Sequence, residues 1–448
     1  MGYNKTKVCF LGGVGRIGGN KILIEYERTK IFLDFGKDFL IWRTYYEFPF
    51  TYPKSIEELI SIGAIPNIRG LYINDEKAEI DAVFISHAHL DHIGHISVLH
   101  RDIRVYMGEG SKVILEAIND VSRPSSKDVE RNFSGIRIET FRTGKEIVIK
   151  DIAIKPIHVD HSIPAAYGFI VYTPSATIAY TGDFRYHGQM KNLTEDFMKA
   201  LESEDVDLLI TEGTHANFSE SLFEYNVEKI LSTILENFKG LIIAYFGRTD
   251  YDRFRTFYSI ANALNREFVI DAKRAYIMQK MQKLVYDFRR VNLDKTLILE
   301  PKNVKRLPPK LREFVQDRER KDRIISKEEI MKEPERYIMT VYYGGAGEFI
   351  DLSPPKGSIY VLSSSEPVSE EQEISFEKLL NWLERLGIAV YHIHSSGHAM
   401  PLDIKRLVLR ANPKIAAPIH TERPLFLKNF INEVKWYIPK AHGDYIEV

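Results

Sequence analysis

The ten residues "SHAHLDHIGH", Ser86 to His95, constrain the fold more than any other stretch of the chain. They carry His87, His89, Asp91 and His92, an H-x-H-x-D-H, directly behind the apolar run "AVFIS". A strand that ends this way presents its donors at the edge of a sheet. Two histidines two apart in extended backbone point the same way. Asp91 and His92 come at once and can face a second point close by. Imidazole and carboxylate are donors that Zn²⁺ takes, and no thiolate is needed. A chance cluster on a loop is a poor account of four such donors within six residues behind a buried strand. One loop cannot complete two metal sites, so the fold must bring more donors to the same edge.

Other strand ends offer them. "PIHVDHSIP" holds His158, Asp160 and His161, "AYTGDF" holds Asp183, and "APIHTE" holds His420. Taken singly, each would more often be a surface or supporting residue; together with the first motif they make a set. Thiolates do not compete, because Cys9 is the single cysteine and lies in an apolar run. That count excludes an intrachain disulfide and fits a reducing cytoplasm, with Cys9 a small core residue. Lys plus Arg is 61 and Asp plus Glu is 62, so binding of a polyanion has to come from a local patch. No stretch approaches the roughly 18 apolar residues of a membrane span.

Length and pattern set the architecture. At 448 residues the chain is too long for one ordinary core. Short strands such as "DAVFISH", "YGFIVYT" and "VDLLITEG" dominate to about residue 210. From about 220 to 365, helices and strands take turns, as in "NVEKILSTILENF" then "LIIAYFG", which reads as a parallel α/β unit. The last part returns to α/β, with Leu379, Leu380, Leu383 and Leu386 at helical spacing.

One motif points elsewhere. Gly13 to Gly18, in "FLGGVGRIGGN", spells G-x-G-x-x-G, and Asp34 lies downstream. A dinucleotide fingerprint needs a helix opening at its last glycine. The run from Asn20 to Gly36, "NKILIEYERTKIFLDFG", reads instead as short strands ended by turns. The expectation is a glycine-rich hairpin and no dinucleotide.

These motifs together resemble the metallo-β-lactamase superfamily, whose αββα sandwich carries a dinuclear metal centre. The opening "LGGVGRIGGN" with "IFLDFG" is similar to the start of the ribonuclease J proteins, where the counterpart of Asp34 supports the metal ligands. The α/β segment between "LLITEGT" and "IHSSGH" resembles the Rossmann-like β-CASP insertion of the nucleic-acid nucleases. Its three hallmarks match Glu212, His398 and His420, and a histidine in the third place goes with RNA enzymes. The expected division is 1–215 and 369–448 for the sandwich and 216–368 for the insertion. The resemblance implies two Zn²⁺, with Mn²⁺ or Mg²⁺ as alternatives. His87, His89 and His161 would hold one, Asp91, His92 and His420 the other, and Asp183 would bridge them. His158 is the rival to His161, which is preferred because "HSIP" matches the family. His95 stands where the family has glycine and is expected at the rim or behind the ligands. Thr421-Glu422 and the loop "YFGRTDYDRF" also depart from the family's wording. With 28 residues after His420 and 86 before His87, the likeness is to the compact archaeal type of ribonuclease J.

The implied activity is hydrolysis of RNA phosphodiesters, 5′-to-3′ from a 5′-monophosphate, with endonuclease capacity as well. Two metals supply a hydroxide of lowered pKa, held by Asp91 and Asp183, and relieve phosphate charge. His398, oriented by Glu212, is the expected proton donor to the leaving oxygen. Ser395, Ser396, Gly397 and His398, ahead of a helix near Pro401, are candidates for cradling phosphate. Ser363, Ser364 and Ser365 are candidates for a terminal phosphate, the other reading being plain strand-end polarity. Arg248 and Tyr251 are candidate RNA contacts. Residues 271–323 hold sixteen Lys or Arg against eight Asp or Glu, either an RNA track or a solvated face. Expected partners are single-stranded RNA, a second copy in a homodimer, and other RNA-decay or processing factors. Alternatives are an endonucleolytic cleavage factor of mRNA 3′ ends, an inactive RNA-processing subunit, a DNA nuclease, and a small-molecule metallohydrolase.

Overall fold

A computed structural model describes residues 5–47, 50–122, 130, 133, 135–216, 222–282, 291–341, 346–364 and 370–448. Two sheets face each other. The first has the order Asp444–Glu447, Lys7–Gly12, Lys21–Tyr26, Thr29–Leu33, Ala82–Ile85, Arg104–Gly108, Arg137–Phe141. The second has the order Ile415–Ile419, Leu208–Glu212, Thr177–Tyr180, Ala166–Tyr172, Ile152–Val159, Ile147–Ile149. Alternation along each strand divides its side chains between two faces. Val8, Phe10, Ile22, Ile24 and Phe84 turn inward and meet Ile154, Phe169, Val171, Ile178 and Ile210 of the opposite sheet. Cys9, Leu23, Phe32, Val83 and Ile85 take the other face and pack under Leu59 and Leu115. Cys9 is thus a core residue, and burial raises its thiol pKa. On the far side, Ile170, Ala179 and Leu209 are covered by Phe197 and Leu201 of the helix Lys191–Glu202 and by Ile404 and Leu407 of the helix Pro401–Ala411. The layers form an αββα sandwich.

A third sheet is parallel throughout, in the order Ile324–Ile325, Thr296–Leu299, Glu267–Ile270, Tyr337–Thr340, Ile242–Tyr245, Ile359–Leu362, Ala389–His392. Parallel strands need crossovers and are covered on both faces. Ile242, Phe268, Ile270 and Ile338 pack against the helices Glu224–Leu235, Tyr251–Ala263 and Ala272–Gln282. Ile243, Val269, Met339 and Tyr360 pack on the other side against Phe349, Leu379 and Leu383. The sheet is inserted into the sandwich, since Leu208–Glu212 and Ile415–Ile419 are parallel neighbours on either side of it in sequence. Among the described residues, no helix is long and apolar enough to cross a membrane.

The expected boundary at 368/369 requires correction. The strand Ala389–His392 pairs with Ile359–Leu362, and Leu379 and Leu383 of the helix Glu370–Leu386 are buried in the same core. The inserted unit therefore runs on to His392. Periodicity in the sequence holds no sign of which sheet a strand joins.

The glycine-rich stretch is a hairpin, with Lys7–Gly12 antiparallel to Lys21–Tyr26. Gly18 has φ +85°, and a Cβ there would lie 2.9 Å from Asp91 Cβ. A Cβ on Gly36 would overlap the Asp91 carbonyl group. These two glycines let the hairpin and the turn after it press against the histidine-rich loop. Gly36→Ala should lower stability by about 3 kcal/mol, the upper range for overpacking a tight interior. Chemical denaturation of the two proteins measures it.

Candidate metal centre

The strand Ala82–Ile85 leads into Ser86 and the histidine-rich loop, whose Leu90–Ile93 forms a single helical turn. Asp34 anchors that loop from the next strand. Its carboxylate accepts from Ser86 N (2.7 Å), Ser86 Oγ (2.8 Å), His92 Nδ1 (2.8 Å) and Tyr180 OH (2.7 Å). The backbone there is left-handed, φ +59°, unusual for a residue with a side chain. The bond to Asp34 puts a proton of His92 on Nδ1 and leaves Nε2 to offer the lone pair. That Nε2 lies 3.1 Å from Asp183 Oδ2, and among the described residues neither atom has a hydrogen-bond partner.

The same reasoning assigns the other tautomers. His161 Nδ1 donates to the Gly397 carbonyl at 2.5 Å, so its Nε2 carries a lone pair. His87 Nδ1 lies 3.0 Å from Ser86 Oγ, whose own proton goes to Asp34, so His87 Nε2 carries another. Both Nε2 atoms then lie 3.0 and 3.1 Å from His89 Nδ1. One nitrogen cannot supply protons to two neighbours at once. Lone pairs crowded in this way, with both Asp183 oxygens buried and unpartnered, are a donor set that fits a cation. The ligand atoms of His87, His89, His161 and Asp183 lie within 4.8 Å of one another, as do those of Asp91, His92, Asp183 and His420. Asp183 belongs to both groups, and also to a third with Glu212, His398 and His420, so all the candidate metal-binding clusters share one carboxylate. Imidazoles and carboxylates without thiolate suit a borderline or hard divalent ion.

Electrostatics agree with that use. Burial, with neighbouring imidazoles, holds His87 and His161 well below the usual histidine range, and burial takes His89 down to about 4. These rings are neutral and able to donate lone pairs. His92 is the exception: burial opposes its charge, but Asp183, Asp34 and Asp91 together raise it well above the usual value, so without a cation its Nε2 is protonated and a metal would have to displace that proton. Burial likewise works against the charged forms of Asp91 and Asp183, yet the adjacent imidazoles hold both well below the carboxylate range.

His420 ends the strand Ile415–Ile419 in left-handed backbone, φ +54°. Its N–H donates to the Gly13 carbonyl (2.9 Å), and its Nδ1 lies 2.8 Å from Thr214 Oγ1. The glycine-rich turn thus touches the metal-side histidine directly. His398 stands beside both clusters, with Nδ1 3.0 Å from Glu212 Oε2 and 3.6 Å from Asp183 Oδ2. Glu212 is itself held by the Phe184 N–H at 2.9 Å. Burial lowers the pKa of His398, but Glu212, Asp183 and Asp91 outweigh it and raise it to about 9.

Other candidates are placed elsewhere. His158 stacks on Tyr167 and lines a cavity of about 250 Å³, while His161 joins the cluster. Asp160 pairs with Arg185 at 3.3 Å. His95 is buried behind the loop, bonded to the Gly36 carbonyl (2.9 Å) and Glu130 (2.7 Å). Ser363 is buried and donates to the Ile393 carbonyl at 2.5 Å, as plain strand-end polarity would have it. The Ser364 carbonyl accepts from His392 at 2.9 Å, and Ser365 lies outside the described residues. Ser395 is buried with an unpartnered hydroxyl, and Ser396 Oγ accepts from the His398 N–H at 3.0 Å. Tyr251 is buried in the helix core, and Arg248 lies 3.7 Å from Asp271. In the 271–323 segment, of which 283–290 lie outside the described residues, Arg274, Arg312 and Arg323 donate to main-chain carbonyls and Lys310 pairs with Asp120. Those charges serve the fold. Sequence reasoning missed Ser86, Tyr180 and Thr214, although each lies within three residues of a named donor.

This fold and paired donor set are those of a metallohydrolase, and residues 62–235 match the family described as a beta-lactamase superfamily domain. The chain belongs to the metallo-β-lactamase superfamily and carries an insertion like that of its β-CASP branch. More particularly, it is a distant relative of ribonuclease J. It is 25% identical to ribonuclease J of Mycoplasma genitalium over 453 residues, 97% of this chain and 71% of that one. It is also 25% identical to ribonuclease J of Pyrococcus abyssi over 443 residues, 94% of this chain and 90% of that one. A crystal structure of a protein of unknown function from Enterococcus faecalis V583 superposes with a TM-score of 0.77 at 25% identity, covering 99% of this chain and 100% of that chain.

Glu212→Gln should lower the His398 pKa from about 9 toward 6.5, since a neutral amide does not favour the imidazolium. In metal-free protein, the pair's contribution to stability is whole below pH 6.5 and is lost as pH rises through about 9. Titration of the His398 ring resonances in both metal-free proteins measures the shift.

Proposed function

We propose that the chain is a two-metal ribonuclease that hydrolyses single-stranded RNA 5′-to-3′ from a 5′-monophosphate end, with endonuclease capacity as well. The observation that carries the reading is the pair of donor clusters sharing Asp183, with His398 and Glu212 beside them. His87, His89 and His161 would hold one ion, Asp91, His92 and His420 the other, and Asp183 both. Zn²⁺ is the proposed metal, with Mn²⁺ or Mg²⁺ able to replace it. Bound there, two such ions lower the pKa of water and relieve the charge of the phosphate.

The chain's own residues do the rest. In the metal-free protein Glu212, Asp183 and Asp91 favour the imidazolium form of His398, and the Glu212 carboxylate accepts from its Nδ1–H. Its Nε2–H is then the proton for the leaving oxygen. The unpartnered hydroxyl of Ser395, with Ser396 and Gly397, supports a phosphate cradle ahead of the helix Pro401–Ala411. The relatedness to ribonuclease J supports RNA as the substrate. A cytoplasmic site, a homodimer and association with other RNA-decay factors go with the same reading.

The test is digestion of 3′-labelled single-stranded RNAs bearing 5′-monophosphate, 5′-hydroxyl or 5′-triphosphate, with Zn²⁺ and Mn²⁺ in turn. Stepwise shortening that prefers the monophosphate is expected. Internal cuts indifferent to the 5′ end would make it an endonuclease, and no cleavage under either metal would overturn the reading. His398→Ala should lower kcat by about 10²- to 10⁴-fold, the range for a lost general acid, with metal content unchanged by elemental analysis. Full activity in that variant would remove His398 from the chemistry.

A further inference from the structure

A buried guanidinium connects the inserted unit to the loop that carries His398. The segment Asp183 to His187 lies just beyond the strand Thr177–Tyr180. Besides Asp183 itself, it supplies the Phe184 N–H that holds Glu212. Two more of its side chains converge on one atom. Arg185 Nη1 (3.3 Å) and His187 Nε2 (2.9 Å) both donate to the Ser396 carbonyl oxygen. The next carbonyl, of Gly397, accepts from His161. Two successive carbonyls ahead of His398 are therefore clamped.

Arg185 is 1% exposed, so solvent does little to screen its charge. Nε lies 3.3 Å from Asp160, Nη2 bonds Asp252, and Nη1 lies 3.8 Å from Glu224. Asp252 stands in the first turn of the helix Tyr251–Ala263, and Glu224 opens the helix Glu224–Leu235. Both helices cover the inserted sheet. Among the described residues, Asp160 Oδ2 and Asp252 Oδ1 have no hydrogen-bond partner, so each carboxylate bonds the guanidinium through its other oxygen. The planar five-donor fork of arginine can serve a carbonyl and carboxylates in different directions at once, which an ammonium cannot.

We propose that Arg185 is the positioning residue through which the inserted α/β unit sets the Ser395–His398 loop, so that the placement of His398 depends on Asp252 and Glu224 being docked. The kinetic side of this inference rests on the ribonuclease reading; the structural side does not. Two variants test it in the full, metal-loaded chain, Asp252→Asn and Arg185→Lys. Asp252→Asn keeps the shape of the side chain and removes its charge, on a helix that supplies no member of the donor clusters. Hydrogen–deuterium exchange of peptides spanning 393–401 should quicken about tenfold in it, with 208–212 unchanged, as expected of local loosening. On RNA, kcat should fall about tenfold and KM stay within about twofold, at wild-type metal content, the pattern of a misplaced group rather than lost binding. Arg185→Lys should fall in the same direction; if it fails to fold, Asp252→Asn decides. Unchanged exchange over 393–401 with only a lowered Tm would overturn the proposal, as would a raised KM at full kcat. Should the wild type cleave no RNA, the ribonuclease reading fails alone and the exchange measurement still stands.

Discussion

One carboxylate, Asp34, ties the two faces of the sandwich to the histidine-rich loop. It accepts from the first-sheet loop at Ser86, from His92, and from Tyr180 of the second sheet. Left-handed backbone at such a residue costs on the order of 1–2 kcal/mol. Charge-assisted hydrogen bonds to a buried carboxylate offset that cost. The proton of His92 is fixed as a result, and through it the direction of a lone pair. Without Asp34, His92 would be close to the other donors but not aimed, and Ser86 beside His87 would lose its acceptor.

The aimed lone pairs explain why so polar a centre is buried. Neutral imidazole nitrogens 3.0 and 3.1 Å from a common neighbour are poorly placed for each other in the absence of a cation. Such a centre costs stability that a bound metal returns, which couples metal loading to folding. The positive charge of the inserted unit is used differently. Arg274 stacks 4.0 Å over Phe246 and bonds its carbonyl, so the guanidinium closes a loop from within. Part of a basic run in sequence can be taken up by main-chain acceptors, as Arg274, Arg312 and Arg323 are here.

The legible part of the sequence was the part set by strand ends. H-x-H-x-D-H, His161, Asp183 and His420 all close apolar runs, and the structure brings them together. The glycines could be read as a hairpin because β-alternation, which is local, argued against a helix. The choice of His161 over His158 needed the family resemblance, since both close the same strand. Three features escaped for one physical reason, that they depend on contacts remote in sequence. The sheet membership of Ala389–His392 is decided by pairing with Ile359–Leu362. The inward turn of Ser363 is decided by Ile393. The clamp on Ser396 by Arg185 and His187 spans more than two hundred positions.

The parallel pairing of Leu208–Glu212 with Ile415–Ile419 has a consequence for how the molecule is made. As the chain emerges during synthesis, the second sheet is left with an open edge at Leu208–Glu212 until its last neighbour arrives. His420 arrives with that neighbour, so the donor clusters close together with the sheet. The intervening unit has a core of its own on one face of its sheet, while its other face shares a core with Ile114, Ala117 and Val121 of the sandwich. When folded, it brings its two ends near each other, which lowers the entropy cost of docking the edge strand. An unpaired edge is a hazard for association between chains. Folding of the inserted unit ahead of the edge strand would therefore also protect the half-built sandwich.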